Sequence, residues 1–507
     1  KQKSGKNIYI YEVESYWDPD KKSPRQRRRY IGKLDPHTNE IITPRKSLNP
    51  RRSRHFGAIY LLKQVSSCLM EKLKRIFHEK AIDIFNLAAY QLCEAQPFNH
   101  FKSWLESTYI DEFNCVSSQD ISRFLKALGR SDQQCRQFIH EWVYASPASR
   151  AVVFDITSLS SFGRLLDMLE WGYNRDGDRL PQINLGMTMR IPDGIPLSYH
   201  IYPGSISDVT TLKGIVKELK AHRISISRFV LDRGFYSKAN IREMADNKIP
   251  FMLPLPFSTK LSSSLLSDTK SDLENVKNAF VFKKSTLFHT VRDVHIDRVL
   301  CQAHVFLDPD RRNRELNTLM HRMTDLERWI ETKHFTRISE VTTAIHEEAH
   351  GLLKYYRIKM DAGDVQMIRK DRTLSYQKNR MGKMIILSKS TGLSREEILD
   401  LYRRKDRVEK LFDTLKNELH GDRLRIQSRD AMEGRLFIAF ITLILYFYLH
   451  SRLHESTLKE TYSPQELLKT LNTICAVELA NGQTRLTEIS KKQREIFKAF
   501  HLAIPVP

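Results

Sequence analysis

The amino end of this chain sets Ile8, Ile10 and Val13 against Tyr9, Tyr11 and Glu12, the two-residue repeat of a strand. The basic stretch WDPDKKSPRQRRRYIGKL follows, so the pattern predicts a hairpin with a long basic loop. From about residue 54 to 144 the apolar spacing becomes helical. Ser117 or Ser118 can cap a helix with Ile121, Phe124, Leu125 and Leu128 on one face. Gly129 can end that helix, and Ser131 can cap a second one that buries Cys135, Phe138, Ile139 and Trp142. Such a pair fits a helix-turn-helix DNA reader and an ordinary helical bundle equally well.

Beyond Ser146-Pro147 the period shortens. Residues 151–155 form a buried strand, 183–190 and 195–202 pair across Pro192-Asp193-Gly194, and 209–222 is a helix. A second buried strand, 228–231, precedes a helix at 238–247 and a strand at 250–255. Right-handed crossovers then give a mixed α/β sheet with its first and fourth strands side by side. That places Asp155 and Asp232 at neighbouring strand ends. From about 257 to 387 the alternation breaks into a polar run, a strand at 299–307, an amphipathic helix with Leu316, Leu319, Met323, Leu326 and Ile330 on one face, and strands at 355–360 and 384–387. This span is expected to be an insertion. The apolar run from Leu436 to Leu449 is 14 residues long, too short to span a bilayer, and is expected to be a buried core helix. Ser463-Pro464 starts a helix and KKQREIFKAF forms a late one, a candidate for packing or dimerisation. The expected divisions are 1–55, a basic hairpin and DNA-contacting arm; 56–147, a helical DNA-binding region; 148–256 and 391–452, the two parts of a catalytic domain; 257–390, the insertion; and 453–507, a helical end.

Charge adds a partner. The 507 residues are 41% hydrophobic and carry a formal net charge of +22, so a folded chain with a polyanionic partner is expected, nucleic acid first. Between residues 21 and 54 lie Lys21, Lys22, Arg25, Arg27, Arg28, Arg29, Lys33, Arg45, Lys46, Arg51, Arg52 and Arg54, against only Asp35 and Glu40, with Tyr30, His37 and His55 interleaved. Arg25, Arg27, Arg28, Arg29, Arg51 and Arg52 are the candidate phosphate contacts. The amino end shows no apolar stretch of signal-peptide length, and six scattered cysteines lack zinc-ligand spacing. A prokaryotic cytoplasmic protein at the nucleoid, without a membrane role, is the expectation.

Three acids carry the chemistry: Asp155 in AVVFD, Asp232 in FVLDRGFYS and Glu409 in YRRKDRVEKLFDTLK. On one continuous helix, Tyr402, Lys405, Glu409 and Lys416 fall within an arc of roughly 60°, beside an apolar stripe of Val408, Leu411, Phe412, Leu415 and Leu419. Asp413, one turn on, is the alternative to Glu409. Oxygen-only carboxylate ligands suit two Mg²⁺, or Mn²⁺, in phosphodiester chemistry better than zinc.

These residues resemble a known family. The spacing Tyr402-x2-Lys405-x3-Glu409-x6-Lys416 is similar to the YREK signature of bacterial insertion-sequence transposases, the insertion-sequence-four superfamily. FDITSLS, QINLGMTM, PLSYHIYPGSISD, LDRGFYS and VEKLFDTLKNEL look like its other blocks. The resemblance implies an RNase H-like DDE catalytic domain interrupted by an insertion. It makes Asp155, Asp232 and Glu409 the catalytic, metal-binding triad, and gives the DNA of the element's ends to Tyr402, Lys405 and Lys416. It further implies cut-and-paste transposition of double-stranded DNA by a homodimer or larger assembly. The family usually has Arg where this chain has Lys405, which replaces a two-pronged guanidinium contact by a point charge. Competing readings are a junction-resolving nuclease that does not join ends, a domesticated DNA-binding regulator, and tyrosine recombination through Tyr402.

Overall fold

Two units make up the chain: unit 1 is Lys1–Gln64, Lys102–Asp111 and Ser456–Pro507, and unit 2 is Val65–Phe101 and Glu112–Glu455. The computed structural model describes the chain apart from residues 6, 19–21, 36–37, 39, 43–48, 111–112, 146–150, 162, 164–167, 173–176, 178, 192, 207, 222–226, 362–363, 390–391, 406–411, 419–422, 425, 427 and 506–507, and apart from the side chains of 208–209, 218–221, 361, 417–418, 423 and 424.

Unit 1 opens with a long antiparallel ribbon, Asn7–Asp18 against Ser23–Leu34. The arginines expected in a loop are strand residues instead. Their register explains why: Arg29 lies opposite Glu12 and Arg27 opposite Glu14, so opposite charges meet across the strands and favour continued pairing. Strand Pro50–His55, which carries Arg51 and Arg52, pairs with Cys475–Leu479 from the other end of the chain. Ser463 and Glu466 form a reciprocal cap on helix Pro464–Asn472, with Pro464 in its first turn, as the Ser-Pro signal predicts.

Unit 2 is a mixed α/β unit built on a ten-stranded sheet. Its strands are β1 (Ala151–Ser161), β2 (Gln182–Arg190), β3 (Pro196–Pro203), β4 (Arg228–Leu231), β5 (Phe251–Pro254), β6 (Ala279–Phe282), β7 (Ser285–Ile296), β8 (Val299–Leu307), β9 (Lys383–Lys389) and β10 (Arg423–Leu424). The order across the sheet is β6-β7-β8-β9-β5-β4-β1-β2-β3, with β10 also on β1. The first and fourth strands are neighbours and run parallel, as the element order predicts. The span expected as an insertion contributes β6 to β9 to this same sheet. Between β8 and β9, helix Pro309–Glu331, helix Ile338–Glu348, the hairpin Tyr356–Asp361 with Asp364–Arg369, and helix Asp371–Arg380 gather a separate apolar cluster that includes Met323, Leu326, Ile330, Val341, Ile345 and Tyr356.

Helices Lys80–Glu94 and Ser118–Arg130 of unit 2 pack on Arg429–Glu455, a helix apolar on all sides. It is long and apolar enough to cross a bilayer by length and composition, and 78% of its most apolar window is buried inside the protein. Phe437 meets Phe77 and Phe138, and Phe440 meets Tyr199, so core packing accounts for a composition that solvent would not tolerate. Helix Ser118–Arg130 starts at Ser117, whose side chain and Asp120 cap each other. Gly129 does not end this helix. It lies inside it, where an added Cβ would stand 1.8 Å from the Asp430 carbonyl oxygen, and one on Gly434 would stand 2.1 Å from that of Leu125. The two glycines let the backbones of the crossing helices touch. Ser131 precedes helix Asp132–Tyr144 without a side-chain cap; its hydroxyl donates back to the Ala127 carbonyl instead.

Candidate active site

Strand β1 is buried along almost its whole length. Asp155 does not close it, as expected from the sequence, because the strand continues to Ser161. Pairing with β2 explains the extension, since the antiparallel register runs on as far as Ser160 opposite Gln182. On its other edge β1 pairs with β4 only as far as Phe154 opposite Leu231, and with β10 only at Ser160 and Ser161. A notch therefore opens in the sheet where β4 ends. Asp155 stands in it, 5% exposed, and the next residue of the register beside it is Asp232. The Asp155 carboxylate accepts from the backbone N–H of Ile156 at 2.8 Å.

Alternation decides which way these acids face. Val152, Phe154, Phe229 and Leu231 belong to one apolar cluster with Leu212 and Ile241, so Asp155 and Asp232 take the opposite face. Helix Arg395–Arg403 covers that face: Ile398 and Leu399 pack with Met252, Phe306 and Ile386, and Tyr402 packs against the same group. Ser394 and Glu397 cap its start reciprocally.

This helix closes at Arg403, and Lys405 follows in a turn whose N–H donates to the Tyr402 carbonyl at 3.0 Å. The single helix expected to carry Tyr402, Lys405, Glu409 and Lys416 on one arc is thus interrupted before Lys405. The turn sends the Lys405 ammonium to Asp232, Nζ donating to Oδ1 at 2.7 Å, with the lysine side chain 6% and the aspartate side chain 36% exposed. Burial is the strongest influence on Lys405 and favours losing the proton. The charge and hydrogen bond of Asp232, followed by Tyr402 and Asp155, outweigh it and hold the ammonium above the ordinary lysine range.

The structure therefore brings together Asp155, Asp232 and Lys405, with Tyr402 on the adjoining helix. Glu409 lies outside the described residues. Lys416 is half-buried in a π-helical turn, Thr414–Glu418, and Asp413 is exposed. In unit 1, Arg25 pairs with Asp18 at 3.4 Å and Arg27 lies over the Tyr16 ring. Arg28 is opposite Val13 rather than an acid. Arg52 donates to the Glu106 carbonyl at 2.6 Å, and Arg51 is exposed. The contact of Lys405 with a carboxylate was not foreseen from the sequence. Its only signal was a lysine three residues after Tyr402 where the family usually has arginine.

Residues 146–445 match the transposase DDE domain family, more than half of the chain. The chain belongs to that family. This transposase is similar to a piggyBac transposase synaptic complex with hairpin DNA, at 10% identity and a TM-score of 0.37 over 85% of this chain and 77% of that one. It is also similar to a Drosophila P element transposase strand transfer complex, at 9% identity and a TM-score of 0.18 over 68% and 95% of the two chains. No curated protein matches it.

Among the described residues of the transposase, no group of three or more His, Cys, Asp or Glu stands at metal-binding spacing. Asp155 and Asp232 are nonetheless a donor set suited to a hard divalent cation: two carboxylates side by side in the notch, with oxygen as the only ligand atom. All six cysteines are free. On the same face of the sheet a half-buried His289 joins a buried His304: His289 Nε2 meets His304 Nδ1 at 3.1 Å and His304 Nε2 meets the Ser388 hydroxyl at 2.9 Å. Burial pushes both imidazoles down to about 4, and for His289 the charge of His304 adds to it. Both are neutral in the native protein at pH 7. Because their folded values lie below the unfolded one, the stability they contribute is present above about pH 6.5 and is lost as pH falls toward 4. Thermal denaturation across pH 7 to 4 is expected to show a shallower loss in His304→Gln than in the wild type.

Proposed function

We propose that this transposase binds the ends of its own insertion sequence, cleaves them by metal-dependent phosphodiester hydrolysis and joins the 3′ ends to target DNA. The observation that carries the proposal is the placement of Asp155 and Asp232 immediately after the last parallel pair of β1 and β4, Phe154 opposite Leu231, within the segment that matches the DDE family. On this reading the sheet of unit 2 is an RNase H-like core, with the cluster between β8 and β9 as its insertion.

Asp155, Asp232 and Glu409 are the proposed catalytic triad. Two Mg²⁺, or Mn²⁺, when bound supply the Lewis acidity that activates the attacking oxygen and offsets charge on the leaving oxygen. Asp155 and Asp232 would hold them, with Glu409 as the third ligand. Water attacks the phosphorus at each element end, the bond to the 3′ oxygen breaks, and that oxygen leaves with a proton as a 3′ hydroxyl. The hydroxyl then attacks a target phosphodiester and displaces another 3′ oxygen, so the number of phosphodiester bonds is conserved in the joining step.

Tyr402, Lys405 and Lys416 would grip end DNA near the cut, and Arg25, Arg27, Arg28, Arg29, Arg51 and Arg52 would add phosphate contacts. The net charge of +22 supports a DNA partner. Cutting two ends in concert calls for a homodimer or larger assembly on double-stranded DNA, working in a prokaryotic cytoplasm. The test is incubation with labelled element-end duplex, a target plasmid and Mg²⁺. Joined end–plasmid products are expected; cleavage without joining would favour a nuclease or junction resolvase, and binding alone a regulator.

A further inference from the structure

We infer that Lys405 is a resident counter-ion of the metal site, occupying Asp232 until a divalent cation displaces it. The inference rests on the metal-binding role proposed above for Asp155 and Asp232. Its basis is geometric. The Lys405 ammonium donates to Asp232 Oδ1 at 2.7 Å, and its side chain is 6% exposed. The lysine is thus enclosed and not a surface side chain that happens to rest on an acid, while Asp232, with its side chain 36% exposed, keeps a side open to an incoming cation.

Two carboxylates side by side at the end of β4 repel each other when both are ionised, and a positive charge between the helix and the sheet offsets that repulsion. A hard divalent cation held by Asp232 would take the carboxylate oxygen to which the ammonium now donates. A cation and an ammonium then compete for the same oxygens while repelling each other, so binding one weakens the other. The turn that follows Arg403 makes exchange local, because Lys405 lies beyond the end of helix Arg395–Arg403 and its side chain can swing without unseating Ile398 or Leu399 from the sheet. Lysine suits this use better than arginine: its ammonium is a compact point charge on a flexible stem, whereas a guanidinium holds a carboxylate through two parallel bonds. An ammonium released in this way is free to meet DNA phosphate, which ties metal loading to the grip on the substrate.

The test uses the full chain without DNA and the metal alone. Mn²⁺ binding is read from the electron paramagnetic resonance of free Mn²⁺ in the wild type, Lys405→Gln, Lys405→Arg and Asp155→Asn. Lys405→Gln is expected to bind Mn²⁺ about ten-fold more tightly than the wild type, the scale of one charge-assisted hydrogen bond removed from the competition. Lys405→Arg is expected to bind no more tightly than the wild type. Independently of any variant, acylation of Lys405 in the wild type, followed by mass spectrometry, is expected to rise when Mn²⁺ is added. Equal or weaker Mn²⁺ binding by Lys405→Gln, or labelling that does not change while Mn²⁺ binds, overturns the counter-ion role. If Asp155→Asn binds Mn²⁺ as the wild type does, the metal-site reading itself fails, an outcome distinct from the other two.

Discussion

Asp155→Asn is expected to lower cleavage of element-end DNA by roughly 10³-fold or more, the scale on which removing one electrostatic stabiliser acts. The same variant should fold normally. Asn keeps the shape of the side chain and can still accept from the Ile156 N–H that Asp155 binds at 2.8 Å. It also removes the weaker of the two carboxylate charges that favour the Lys405 ammonium, so its melting temperature should fall less than that of Asp232→Asn. Asp232→Asn gives the contrast that makes the result specific. It too should be inactive, but it strips the ionised partner from an ammonium whose side chain is 6% exposed, and should lose roughly 2 kcal/mol of stability. Denaturation curves and a nicking assay in Mg²⁺ read both properties on the same samples. An Asp155→Asn protein that still nicks end DNA would remove the triad assignment.

The second large effect lies far from the chemistry, at the crossing of helices Ser118–Arg130 and Arg429–Glu455. Gly→Ala inside a helix normally stabilises by about 1 kcal/mol. Here the new methyl would meet backbone, 1.8 Å from the Asp430 oxygen at Gly129 and 2.1 Å from the Leu125 oxygen at Gly434. A carbonyl cannot swing aside as a flexible side chain does, so the helices must separate. Gly129→Ala and Gly434→Ala are each expected to cost about 2–4 kcal/mol. The double variant should cost less than the sum, because both act on one crossing. Gly214→Ala is the control: among the described residues its Cβ would meet only the Tyr202 hydroxyl, at 3.9 Å, and a small gain in stability is expected. Higher melting temperatures for the first two variants would mean that the backbones do not meet at this crossing.

Much of the fold was legible because it follows from local periodicity. The alternation after residue 150 and the handed connection that returns through helix Asp208–Ala221 put β1 beside β4, and with them Asp155 beside Asp232. The amphipathic helix with Leu319, Met323, Leu326 and Ile330, and the buried run around Leu436 to Leu449, were equally plain. Other features were hidden. The basic stretch looked like a loop because charge suggests solvent, yet Glu12 and Glu14 across the ribbon allow Arg29 and Arg27 to sit in a strand. Strand β7 alternates only weakly between buried and exposed positions, so its place in the main sheet follows from its pairing with β8 and not from its own pattern.

By itself the sequence determined the periods of the elements, their order, the acids on β1 and after β4, and a charge balance that favours DNA, because each of these depends on neighbours within a few residues or on composition. Tertiary structure alone decided that Gly129 serves a crossing rather than a helix end, and that the helix from Ser394 stops in time to turn Lys405 onto Asp232. Both depend on atoms 173 or more positions distant in the chain. No local pattern encodes such a contact, because a side chain's partner is fixed only when packing has chosen which surfaces meet.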